Sequence, residues 1–141
     1  MDPGWLIGDN NEWNSRIVDV SNPQWREFFL DKIIEPLWQA GYTGFFLDTL
    51  DSYHLAASKK DLPRMESGLV QTIQAIRQRH PEARLILNRG FEIFDRVKGD
   101  VFAMAAESLF RKIIPGTEKY GQQQSGGCVH PCGTGCCPAS G

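Results

Sequence analysis

Three apolar runs of this chain lead into carboxylates, at Asp19, Asp48 and Glu107. Asp48 closes Gly44-Phe-Phe-Leu, Asp19 follows Arg16-Ile-Val, and Glu107 follows Val101-Phe-Ala-Met-Ala-Ala. A carboxylate abutting an apolar strand is costly unless it is hydrogen-bonded or put to use. Two carboxylates facing each other across a cleft, with aromatic rings nearby, are what glycoside hydrolysis needs. One protonates the leaving oxygen, and the other attacks the sugar or activates water. Asp48 and Glu107 are the foremost candidates. Asp51, Thr49, Ser52 and Tyr53 crowd the segment that holds Asp48, while Glu is a weak N-cap and two small alanines leave room around Glu107. Asp19, followed by Val-Ser-Asn-Pro, reads as a helix cap or a supporting group. Asn88 and Arg89 end a fourth apolar run, where they would cap, pair, orient an acid or bind a hydroxyl-rich ligand. Trp5, Trp13 and Tyr53 are placed to stack on sugar rings, whereas Trp25 and Trp38 read as helix packing. His54 and His80 read as surface or loop residues, with His54 near enough to the Asp48 segment for a subsite. Two rival readings use the same residues. Asp48, Asp51 and Glu107 could hold a hard cation in a metal-dependent hydrolase. A carbohydrate-binding module without turnover would keep the acidic and aromatic loop.

The elements that must position these groups follow from periodicity. Strands are expected at 16–20, 44–48, 83–88 and 101–106. Between them fall a helix opened by Ser21 or Asn22 with Pro23 and stopped by Gly41, a helix over about 62–80, and a short helical stretch around 93–97. The first helix would bury Trp25, Phe28, Phe29, Ile33, Ile34, Leu37 and Trp38 on one side. The order β-α-β-α-β-α-β, with strands apolar on both faces, implies a parallel sheet in an α/β fold. In such folds chemistry gathers at the carboxyl ends of the strands, where the acids stand. An open doubly wound sheet and part of a barrel both fit. Neither a G-x-G-x-x-G turn nor a P-loop follows any strand, which weighs against nucleotide binding.

Composition bounds the answer further. The 141 residues carry 15 basic and 17 acidic side chains, a net charge of −2, so no basic excess points to nucleic acid. No apolar run approaches the ~20 residues of a membrane span, and no signal peptide is visible. Residues 1–115 read as one globular domain. Residues 116–141 hold all four cysteines and no Leu, Ile, Phe or Trp, and they read as a disordered or foreign tail. Cys128, Cys132, Cys136 and Cys137 lack the long gap between ligand pairs that zinc sites show. A complete (β/α)₈ barrel needs roughly 200 residues or more.

Three blocks sharpen this reading. Gly41-Tyr-Thr-Gly-Phe-Phe-Leu-Asp-Thr-Leu-Asp-Ser-Tyr53, Leu87-Asn-Arg-Gly-Phe-Glu-Ile93 and Ala105-Ala-Glu-Ser-Leu-Phe110 resemble, in the same order, the signature of glycoside hydrolase family 114, the endo-α-1,4-polygalactosaminidases. The match runs over roughly 5–113. The resemblance implies a (β/α)₈ barrel, here partial, with about four βα units and the strands upstream of Trp5 and after Pro115 lacking. It implies cleavage of a partly deacetylated α-1,4-galactosamine exopolysaccharide with retention. Asp48 and Glu107 are then the catalytic acids, with Asp48 favoured as nucleophile, and Asp51, Tyr53, Asn88, Arg89 and Asp19 are substrate-side residues. No cofactor or metal is implied, and the family setting implies a periplasmic or secreted protein. An acidic, aromatic cleft suits a cationic amino sugar, against which Arg89 stands unless it pairs with an acid. With half a barrel, the inner apolar face is expected to be uncovered, and the chain expressed alone to be molten or insoluble and inactive.

Overall fold

The structure, a computed structural model, describes residues 4–106, 111–113 and 120–122. The chain divides into two compact units, residues 1–107 and 108–141. The composition change noted above comes later, after residue 115.

The first unit opens with a hairpin of β1 (Leu6–Asn10) and β2 (Ser15–Val18), paired antiparallel with a register shift between Leu6 and Gly8. Asn14 takes φ +45° in the connection, a left-handed conformation that Asn tolerates better than most residues. This corrects the expectation that 16–20 begins the parallel sheet. A β-branched run specifies a strand but not its partner, and the neighbour four residues upstream closes a far shorter loop than any crossover.

Asn22 caps the next helix, its side-chain oxygen accepting from the backbone N–H groups of Gln24 and Trp25 at 2.8 and 3.4 Å. Pro23 opens α1 (Pro23–Phe29), which passes through a π-helical turn (Leu30–Ile34) into α2 (Glu35–Gln39). The wider turn shifts the helical phase. It buries Leu30 and Ile34 and leaves Phe28, Ile33 and Leu37 exposed, where an unbroken helix was expected to bury all three. Gly41 ends the segment at φ +94°.

Three strands then form one parallel sheet in the order β3 (Gly44–Leu47), β4 (Arg84–Asn88), β5 (Ala103–Ala105). They are joined by α3 (Leu62–Arg79) and by a 3₁₀ turn (Phe91–Ile93) with α4 (Phe94–Val97). The sheet therefore has three parallel strands among the described residues, where four were expected, and it does not close into a barrel. Met65, Leu69, Ile73 and Ile76 of α3 join Phe45, Leu85 and Leu87 in the core. Register places Phe46, Ile86 and Ala103 side by side on the other face, where Phe46 is 54% exposed.

Gly68 is fixed by close approach. A Cβ there would lie 2.4 Å from the carbonyl oxygen of Val20 and from Ser21 Cα. The segment leaving β2 thus rests directly on the backbone of α3.

The second unit contains an antiparallel pair, β6 (Arg111–Ile113) and β7 (Tyr120–Gln122). The four cysteines lie outside the described residues, as does Glu107.

Candidate active site

The site is built where β3 and β4 end side by side. Two residues beyond Phe46 and Ile86, alternation carries Asp48 and Asn88 to the same face of the sheet. Asn88 Nδ2 donates to Asp48 Oδ1 at 2.8 Å, and the backbone N–H of Thr49 donates to the same oxygen at 2.6 Å. Asp48 is exposed, whereas Asn88 is 3% exposed. A buried neutral amide therefore holds an accessible carboxylate.

The backbone at both strand tips is strained. Thr49 has φ +53° and Arg89 has φ +66°, followed by Gly90 at +76°. A β-branched residue in this region is a genuine outlier, and such outliers cluster where function demands a fixed geometry. The Arg89 guanidinium reaches across to Asp51 at 3.0 Å, so the turns after β3 and β4 are tied by a second bridge.

A cleft of about 280 Å³ opens beside Asp48. Phe46, Thr49 and Ser52 line it from the β3 side, and Val18, Trp25 and Phe29 from the other. Trp25 stacks on Phe29 with ring centroids 5.3 Å apart, in keeping with a packing role.

The remaining candidates fall elsewhere. Tyr53, in the 3₁₀ turn Ser52–Leu55, is 2% exposed and belongs to the core, so it offers no ring face to a sugar. Burial, with the negative charges of Glu66, Glu92 and Asp51, pushes its phenol up to about 12. Asp19 accepts from Ser21, through both its N–H and its hydroxyl, and from Arg64 of α3 at 2.9 Å. Burial alone would raise this carboxyl, but the Ser21 and Arg64 hydrogen bonds outweigh it and hold the group below the usual carboxylate range. Trp13 is exposed at the hairpin connection, and Trp5 lies against Phe28. His54 is exposed, stacked on Tyr53 and 3.9 Å from Glu92. His80 is not the surface residue expected. It is buried, stacked on Trp38 at 4.3 Å between ring centroids, with Nε2 3.1 Å from Glu35.

Among the described residues, no group of three His, Cys, Asp or Glu side chains is placed to hold a metal ion. Glu107, the expected partner of Asp48, lies outside the described residues. Sequence reasoning missed the Thr49 N–H as a donor to Asp48. A left-handed threonine leaves no trace in composition or periodicity.

A comparison with families decides the broader question. The profile of glycoside-hydrolase family GH114 matches residues 1–122. The chain belongs to this family. Among solved structures, the GH114 chain is similar to the glycoside hydrolase domain of PelA from Pseudomonas aeruginosa, with 32% identity and a TM-score of 0.70. That match covers 82% of this chain and 45% of the other. A Glu-to-Ala variant of the same domain matches at 30% identity and a TM-score of 0.72, covering 87% and 49%. This GH114 chain thus spans less than half the length of either structure. No curated protein matches it. Among the described residues, no helix is long and apolar enough to cross a membrane.

Proposed function

We propose that this chain carries the catalytic segment of a glycoside hydrolase that cleaves a galactosamine-containing exopolysaccharide, acting outside the cytoplasm on a biofilm-type polymer. The observation that carries the reading is Asp48 at the tip of β3, exposed and oriented by Asn88 at the tip of β4, in a chain of family GH114. The three parallel strands are, on this reading, consecutive staves of a larger (β/α)₈ barrel whose inner face bears Phe46, Ile86 and Ala103.

Asp48 and Glu107 form the two-carboxylate pair. Glu107 follows the last residue of β5, Ala105, by two positions in the sequence. In a retaining mechanism one carboxylate attacks the anomeric carbon as the other protonates the leaving oxygen. The second then deprotonates the water that releases the sugar. Asp48 suits the first role, because two donors fix its orientation at the open tip of β3. The Asp51–Arg89 bridge keeps a guanidinium from opposing a cationic amino sugar.

The test is incubation of this segment, completed to a full barrel with the remaining strands of a GH114 relative, with partly deacetylated α-1,4-galactosamine polymer, following new reducing ends and product masses. Shortened oligomers that disappear in Asp48→Asn and Glu107→Gln are expected. Binding without cleavage would replace this reading with the carbohydrate-binding one, and loss of cleavage in chelator would replace it with metal-dependent hydrolysis.

A further inference from the structure

Asp48 is gripped at one oxygen. Asn88 Nδ2 and the Thr49 N–H converge on Oδ1, and among the described residues no group donates to Oδ2. The grip is rigid on the Asn88 side. That residue is almost fully buried, sits in register with Ala105 in a paired strand, and follows Leu87, which is fully buried. It is also electrically neutral. A lysine or arginine in its place would orient the carboxylate but cancel its charge. The adjacent Arg89 is engaged by Asp51.

We propose that Asn88 is a positioning residue for Asp48, clamping Oδ1 so that Oδ2 is the oxygen presented to substrate. This rests on the hydrolase reading of the site. It also gives Asn88 a duty different from sugar binding. An amide that donates to Asp48 from a side chain sealed from solvent orients the acid. The left-handed backbone at Thr49 belongs to the same device, since its N–H completes the grip from the other direction.

Two measurements test the clamp, the first on the full chain and the second in the completed barrel. The first is spectroscopic and needs no turnover. In ¹⁵N-labelled protein, the Asn88 side-chain amide resonances should move when Asp48 is replaced in Asp48→Asn, a change at an exposed position that leaves the fold intact. Unmoved resonances overturn the proposal. The second is kinetic. Asn88→Ala should lower kcat about 10²-fold, the scale on which a misplaced catalytic group costs rate, with KM within about twofold of the parent. Asn88→Ser, which keeps a short donor, should recover part of the loss. A raised KM with kcat intact would overturn the proposal and make Asn88 a substrate contact. If Asn88→Ala does not fold, the amide spectra of Asp48→Asn decide alone. A completed barrel without turnover would refute the hydrolase reading, and the spectra would still report whether the clamp exists.

Discussion

Asp19 and Asp48 look alike in the sequence, each an aspartate at the end of an apolar run, and the structure separates them by their partners. Asp19 is bedded on α3, 17% exposed at its side chain, and paired with the Arg64 guanidinium as well as with Ser21. Asp48 stands at the open end of β3 and is held by two neutral donors, an amide and a backbone N–H. A carboxylate whose charge is cancelled by a cation is a structural cross-link. One oriented by neutral groups keeps its charge and an accessible oxygen for chemistry. Position at a strand end is shared by both, so the electrostatic character of the partners is what separates them.

The sharpest break of this comparison is Asp48→Asn. Polymer cleavage should fall by several orders of magnitude while the thermal melt stays near that of the parent. A melt that collapses along with activity would place Asp48 in the same class as Asp19.

Next in size is Gly68→Ala. The added Cβ would meet the Val20–Ser21 backbone at 2.4 Å, and backbone cannot swing aside as a side chain can. A loss of roughly 1–3 kcal/mol is expected from denaturant unfolding, the range for overpacking. An unchanged midpoint would mean that the segment carrying Asp19 is not seated on α3.

Removing the Asp19 cross-link should cost less. Arg64 is about half exposed, so solvent screening limits the pair, and Asp19→Asn should lose about 1 kcal/mol. The carboxyl is held below its ordinary value of 3.8 in the fold. Its contribution is therefore complete above that value and drains away as pH falls through the lower folded one. Parent and Asp19→Asn stabilities, compared by urea unfolding from pH 7 downward, should converge in acid. A constant gap would refute the linkage.

An effect confined to alkaline solution concerns the buried Tyr53. The Tyr53 phenol is pushed up to about 12, so between its unfolded value, about 10, and 12 the unfolded chain ionises first and stability declines. Tyr53→Phe should flatten that alkaline decline, read by unfolding above pH 10. A decline as steep as the parent's would show that the phenol is not shielded.

Much of this arrangement is visible in the chain before folding. Gly44–Leu47 and Arg84–Asn88 announce themselves as strands because each holds an apolar run without polar interruption, and α3 does so through the spacing of Met65, Leu69, Ile73 and Ile76. The packing roles of Trp25 and Trp38 also follow from helical spacing, and their stacking on Phe29 and His80 agrees. What escaped depends on contacts distant in sequence. β1 is half polar and interrupted by Gly8, so it is recognisable as a strand only through its pairing with β2. His80 looked like a helix-end surface residue beside Pro81, and only the arrival of Trp38 and Glu35 buries it. Tyr53 reads as a sugar platform until the core closes around it. The Asp51–Arg89 bridge spans two turns whose adjacency is a property of strand order, which local pattern does not encode.

The left-handed backbone at Thr49 and Arg89 carries a consequence for how such a protein can be improved. Each residue forgoes of order 1–3 kcal/mol to sit where glycine would sit more easily. Directed evolution for heat resistance alone should therefore find Thr49→Gly early, since relaxing the tip raises the melting temperature while loosening the grip on Asp48. Selection for turnover should purge the same substitution. A library sorted in parallel under the two pressures would diverge at this position first, tracing the boundary along which durability and catalysis compete in this fold.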